Sequence, residues 1–217
     1  MFIANWKMNG SIPLVKNWLK VMNKKLEPEI QSQCIFCPPA CFLPIASEMV
    51  KTSGLKISLG AQDIDMNIKS SLTGGISGSM LSELGAEYVI IGHSERRDNF
   101  KEGNSILLEK VKSASSTNLK IIFCIGETLK EKEKGLTHKI LDKQLEIIKD
   151  NPMHNIMIAY EPVWAIGSGQ NAKISYIKEI HEFISSKIKL MQKDFLGIAY
   201  GGSVNSSSAK MNFRTCS

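Results

Sequence analysis

The chain has 217 residues, of which 43% are hydrophobic, and a formal net charge of +6. That length is enough for one well-filled core, and no Pro/Ser-rich linker or low-complexity block divides it, so residues 1–217 are expected to form one domain. The lysines behind the charge are mixed with acids, as in Glu131-Lys132-Glu133-Lys134, without a like-charge block or interleaved aromatics, which favours a solvated surface over a nucleic-acid footprint. No basic segment followed by an apolar one opens the chain, and no apolar run approaches the ~20 residues that span a bilayer. A soluble, cytoplasmic protein without membrane or nucleic-acid partners is the expectation.

Short β-rich apolar runs begin near Phe2, Cys34, Lys56, Tyr88, Lys120, Asn155 and Leu196. Their spacing is that of βα units, about 30 residues each. Helical patterns lie between them: Leu14, Trp18 and Val21 after the first run, Leu141, Leu145 and Ile148 after the fifth, and Ile177, Ile180, Ile184 and Ile188 after the sixth. Strand followed by amphipathic helix, repeated, requires parallel pairing. In the second run, Cys34-x-x-Cys37 with Cys41 has metal-ligand spacing. The strand alternation would send Cys34 and Cys37 to opposite faces, however, and five cysteines are an odd count, so buried free thiols in a reducing compartment are the expectation. The runs Tyr88 to Ile91, Lys120 to Cys124 and Ile156 to Ala159 are almost continuously apolar, as in strands buried on both faces.

The architecture is then α/β, either a barrel or an open doubly wound sheet, and the ends of the runs separate the two. Nearly every run stops in a polar or glycine cluster: Asn5-Trp6-Lys7, Gln62-Asp63, Gly92-His93-Ser94-Glu95, Gly126-Glu127, Glu161 and Gly201-Gly202-Ser203. A barrel gathers all such ends around one rim, whereas an open sheet gathers only those at its switch point. No Gly-x-Gly-x-x-Gly follows the first run, which weakens a dinucleotide-binding sheet further. A TIM-type (β/α)8 barrel is favoured.

The richest segment runs from Ala159 to Gly169, where an apolar run ends on Glu161 and enters a loop stiffened by Pro162 and hinged by Gly167 and Gly169. Two readings fit it. Glu161 is a catalytic base beside a closing loop, or it is a buried strand end paired with a lysine. His93 has the same ambiguity between a catalytic imidazole and a strand-end hydrogen bonder, and Lys7 between an active-site cation and a solvated side chain.

With these clusters in view, the chain resembles the triosephosphate isomerase family from its first residues to about Asn205. The matching segments are Asn5-Trp6-Lys7-Met8-Asn9-Gly10, Gly60-Ala61-Gln62, Tyr88 through Arg97, Cys124 through Thr128, Tyr160 through Gly169, and Tyr200-Gly201-Gly202-Ser203-Val204. The resemblance implies interconversion of dihydroxyacetone phosphate and glyceraldehyde 3-phosphate without metal or organic cofactor. Glu161 would be the base, and His93 the electrophile, kept neutral by a helical turn starting at Ser94. Lys7 would offset charge on phosphate and enediolate, with Asn5 holding substrate and Lys7. Glu95 would pair with Lys7 or bridge to a substrate hydroxyl, and its other reading is an acidic first-turn residue that only stabilises the helix. Backbone amides at Gly167, Gly202 and Ser203 would carry the phosphate.

Two departures accompany the resemblance. The segment from Ser206 to Ser217 begins like a seventh helix and then stops, so the eighth strand and helix of a typical barrel of ~250 residues are expected to be missing. A remnant that keeps the catalytic residues, yet neither closes the barrel nor completes the phosphate site, is therefore the alternative reading. In the third-strand loop, Thr73-Gly74-Gly75 stands where the family has Thr-Gly-Glu. The resemblance implies a homodimer through that loop, with Thr73 reaching the neighbouring subunit, but Gly75 cannot pair with an arginine of the type found at Arg96.

Overall fold

A computed structural model of the chain describes residues 1–149, 155–166, 172–191 and 195–202. Its elements, in chain order, are β1 (Phe2–Asn5), α1 (Ile12–Lys25), α2 (Pro28–Gln31), β2 (Cys34–Cys37), α3 (Leu43–Ser53), β3 (Ser58–Ala61), α4 (Gly78–Glu83), β4 (Tyr88–Ile91) and α5 (Ser94–Asn99), then α6 (Asn104–Ser115), β5 (Lys120–Ile125), α7 (Leu129–Glu133), α8 (Thr137–Lys149), β6 (Ile156–Tyr160), α9 (Ile174–Leu190) and β7 (Phe195–Tyr200). The fold is α/β, with seven parallel strands among the described residues and helices between them. All seven apolar runs of the sequence are strands. Residues 203–217, where the expectation of a broken-off helix falls, lie outside the described residues.

The chain forms two compact units, one of Met1–Ile91 with Lys112–Ile121, the other of Gly92–Val111 with the residues from Ile122 onward. In the first unit the strands follow chain order, with Phe2 opposite Cys34, Ile35 opposite Ser58, and Gly60 opposite Tyr88. Its core is Ile35, Phe36, Leu43, Leu59, Val89 and Ile91, all buried. Trp6 meets Phe36 edge-on at 4.8 Å and Trp18 stacks on it at 4.5 Å, so one aromatic cluster ties the start of the chain to β2.

Helix α1 corrects one detail of the sequence reading. Ser11 Oγ accepts the Leu14 amide and Pro13 sits in the first turn, which fixes the helix start. The buried face is then Val15 and Leu19, while Leu14 and Val21 are exposed. Two apolar stripes one residue apart compete in this sequence, and in the stripe of Leu14, Trp18 and Val21 it is Trp18 that is half-buried, stacked on Phe36. Cys34 and Cys37 are both buried, and burial pushes the Cys37 thiol up to about 12.

In the second unit β6 pairs with β7 from Ile156 opposite Phe195 to Tyr160 opposite Tyr200. One register shift occurs there, and Gly197 absorbs it at φ +131. Strand β6 is buried throughout, and Ile177, Ile180, Ile184 and Ile188 line the inward face of α9, as their spacing predicts. On α8 the buried residues include Leu141, Leu145 and Ile148, again the expected stripe.

Candidate active site

In the second unit, β6 ends at Tyr160 and delivers Glu161, whose amide donates to the Ile125 carbonyl at 2.7 Å. The carboxylate is buried, 7% exposed as a residue, and meets groups of three kinds. Cys124 Sγ donates to Oε1 at 3.3 Å, the Ser94 amide reaches Oε2 at 3.5 Å, and His93 Nε2 stands 3.6 Å from Oε1. Two glycines leave it room. A side chain at Gly201 would bring its Cβ within 2.6 Å of Glu161 Cγ, and one at Gly126 would overlap the Glu161 carbonyl.

His93 occupies the N-cap of α5, and its Nδ1 accepts the Glu95 amide at 3.2 Å. An accepting Nδ1 carries no proton. The ring is therefore the neutral tautomer with its N–H on Nε2, the nitrogen that faces Glu161. The short helix expected after His93 is present as Ser94–Asn99. Glu95 is exposed, and its Oε2 lies 3.6 Å from His93 Nδ1.

Asn5 and Lys7 belong to the first unit. Asn5 Oδ1 accepts the Lys7 amide at 2.9 Å, and Lys7 takes φ +51, a left-handed conformation unusual for a residue with a long side chain. Gln62 Nε2 donates to the carbonyls of both Lys7 and Cys37 at 2.9 Å, which braces that turn. Gly202 forms a bend after β7, where a Cβ would overlap the Tyr200 hydroxyl, and the Gly201 amide donates to the Tyr160 carbonyl at 2.8 Å. Gly167 and Ser203 lie outside the described residues.

Behind Glu161 the buried carboxylate of Glu127 accepts from Tyr160 Oη at 3.1 Å, Tyr176 Oη at 3.0 Å and Trp164 Nε1 at 2.9 Å. Burial, and then the charge of Glu127, raise the Tyr160 hydroxyl's pKa, so it stays a donor. Lys132 Nζ sits 3.3 Å from the Trp164 ring centroid and 4.8 Å from that of Tyr176. A half-buried ammonium between two rings departs from the solvated surface expected of Glu131-Lys132-Glu133-Lys134. Sequence reasoning gave no role to Gln62, Cys124, Glu127 or Lys132. Gln62 and Glu127 had a signal, since both stand in polar clusters at strand ends, whereas nothing in the sequence aims the Cys124 thiol at a carboxylate.

A buried carboxylate facing a neutral imidazole at the C-terminal ends of parallel strands defines an α/β enzyme of the barrel class, equipped to move protons. The family model for triosephosphate isomerase matches residues 1–215. The chain is similar to the triosephosphate isomerase of Clostridium tetani, 39% identical over 95% of this chain and 83% of the relative. It is similar also to that of Buchnera aphidicola subsp. Cinara cedri, 39% identical over 97% and 86%, and to that of Pseudoalteromonas translucida, 36% identical over 98% and 85%. The chain belongs to the triosephosphate isomerase family.

Proposed function

We propose that residues 1–217 act as one barrel-type domain that interconverts dihydroxyacetone phosphate and glyceraldehyde 3-phosphate, in glycolysis and gluconeogenesis. The observation that carries this reading is the 3.6 Å approach of His93 Nε2 to the buried Glu161 carboxylate, while Nδ1 of the same ring accepts the Glu95 amide. The reaction needs a base at carbon and an acid at the neighbouring oxygen. Glu161 takes the proton from the carbon next to the carbonyl. The C–H electron pair becomes the C=C bond of an enediolate, and the charge gathers on oxygen. His93 Nε2–H donates to that oxygen, then passes protons between the two oxygens, and Glu161 returns its proton to the adjacent carbon. Neither metal nor organic cofactor has a part in these steps.

Lys7 offsets the negative charge, Asn5 fixes Lys7 and the substrate, and Glu95 has a secondary role beside the imidazole. The Asn5 bond to the Lys7 amide and the Gln62 brace support that assignment. Amides at Gly167, Gly202 and Ser203 receive the phosphate, where the lack of Cβ at the glycines lets backbone come close.

The same reading makes the protein a cytoplasmic homodimer through the loop containing Thr73. That loop is internally bonded, with the Asp65 amide on the Ile76 carbonyl at 2.9 Å and Asp65 Oδ1 capping Asn67 at 2.8 Å, yet it leaves Met66, Ile68 and Leu72 exposed. Arg96 turns instead to Glu102, so the dimer does not depend on an ion pair at position 75. Leu72→Glu should lower the mass measured by light scattering from that of two chains to one.

The deciding measurement is conversion of glyceraldehyde 3-phosphate by the purified chain beside Glu161→Ala prepared identically. Turnover that disappears in the variant supports both reaction and base. Equal background in both would overturn the assignment.

A further inference from the structure

The sequence places two arginines side by side in α5, and they do different work. Arg96 bonds Glu102 at 2.7 Å and lies 4.3 Å over the Phe100 ring. Arg97 turns to backbone: its Nε donates to the Gly92 carbonyl at 2.6 Å and Nη2 to the Cys124 carbonyl at 2.9 Å, with its guanidinium 5.8 Å over the Phe123 ring. Both carbonyls belong to the reacting groups' immediate supports. Gly92 precedes His93, and Cys124 donates its thiol to Glu161 Oε1. Gly92 itself stands at φ +77, and a Cβ there would come 2.8 Å from Arg97 Nη2, so the turn and the guanidinium require the same glycine.

We infer that Arg97 is a positioning residue for the isomerisation: one planar guanidinium spans the peptide before the imidazole and the peptide beside the base, and so sets the His93–Glu161 separation without touching substrate. The inference rests on the isomerase reading above. A guanidinium suits this task because its donors leave one rigid plane at fixed angles, whereas an ammonium on a flexible stem can satisfy one carbonyl and leave the other adrift. Its charge matters as well. Arg97 interacts electrostatically with Cys124, Glu161 and Glu102, so it offsets part of the buried base's charge. Reacting groups must be held to a fraction of an ångström, so loosening this link should cost rate before it costs binding.

The test compares the full chain with Arg97→Lys, which keeps the charge but loses the planar fork, and with Arg97→Met. In Arg97→Lys, kcat should fall at least about ten-fold while KM stays within about three-fold. The ring 15N signal of His93, identified by its loss in His93→Gln, should move, while the signals of His138 and His181 stay in place. Should Arg97→Met not fold, Arg97→Lys alone decides. An unchanged kcat per folded molecule with an unmoved His93 signal would overturn the inference, as would a raised KM at constant kcat, which marks a substrate contact. A wild-type chain without turnover would defeat the isomerase reading instead, and the His93 signal in Arg97→Lys would still decide this one.

Discussion

His93 Nε2 lies 3.6 Å from Glu161 Oε1, while the opposite nitrogen of the same ring accepts the Glu95 amide at 3.2 Å. The second bond fixes what the first can do. With Nδ1 occupied as an acceptor, the ring offers its proton through Nε2, and in the proposed reaction it would polarise the carbonyl as a neutral donor. His93→Gln supplies a donor at similar reach but cannot pass protons between two oxygens, so kcat should fall by about 10²-fold or more. Glu161→Asp withdraws the carboxylate by one methylene, and a loss of similar size, about 10²-fold, is expected from misplacement alone. Steady-state rates in both directions check both substitutions, and a His93→Gln enzyme near wild-type rate would remove the imidazole from the chemistry.

Glu127 should govern how firmly the segment after the base is held. Its carboxylate receives three donors, from Tyr160, Trp164 and Tyr176, and Trp164 is clasped on its face by Lys132. Glu127→Gln replaces one accepting oxygen by a donor that faces other donors, so stability should drop by about 2–3 kcal/mol. Lys132→Met removes only a cation–π contact and should cost under about 1 kcal/mol. Urea unfolding of both variants measures the contrast. Equal losses would mean that the aromatic clasp, and not the carboxylate, anchors Trp164.

The strands were legible in the sequence because they are apolar runs of ordinary strand length, nearly all stopping at a polar or glycine cluster, and all seven stand where those runs stand. The stripes of α8 and α9 were legible for the same reason, since only one face of each is apolar. Helix α1 has two candidate stripes, and spacing alone does not decide between Leu14 and Val15, of which Val15 is the one buried. The site was half legible. His93 and Glu161 end strands, so their placement followed from the fold, and the helix at Ser94 fixed the ring's tautomer. Cys124 and Arg97 carry no such mark: one lies inside an apolar run, the other in a charged helix, and only the meeting of backbone carbonyls with side-chain donors in three dimensions shows what they hold.

Glu102 ties two cations at one oxygen. Oε1 accepts from Arg96 Nε at 2.8 Å and from Lys110 Nζ at 2.7 Å, and Lys110 is as buried as Glu102 itself. Burial works against the Glu102 charge, but Arg96 and Lys110 together hold its pKa below the ordinary carboxylate value. Removing the acceptor takes a buried carboxylate away from two cations at once, so Glu102→Ala should destabilise by about 3–5 kcal/mol. Replacing Lys110 by Met in the same chain should recover part of that loss, because a buried charge that Glu102 neutralised goes with it. Denaturant unfolding of the single and double variants tests the coupling, and strictly additive losses would show that the pair acts independently.

His181 should give the protein a stability that falls with acid. The ring is buried on α9, 6.3 Å from the Tyr160 ring, and burial lowers its pKa from 6.5 to about 4. The unfolded chain therefore binds a proton at this residue below about pH 6.5, while the native chain does so only near pH 4. Between those values protonation favours unfolding. The contribution of the neutral ring is fully present above pH 6.5 and is lost progressively down to about pH 4, by up to about 3 kcal/mol. His181→Leu cannot take up that proton in either state. The difference in unfolding free energy between wild type and His181→Leu should thus shrink or reverse in favour of the variant as pH drops from 7 to 4.5, whatever the carboxylates contribute to both. A difference that stays constant across that interval would show that His181 titrates alike in the folded and unfolded chains.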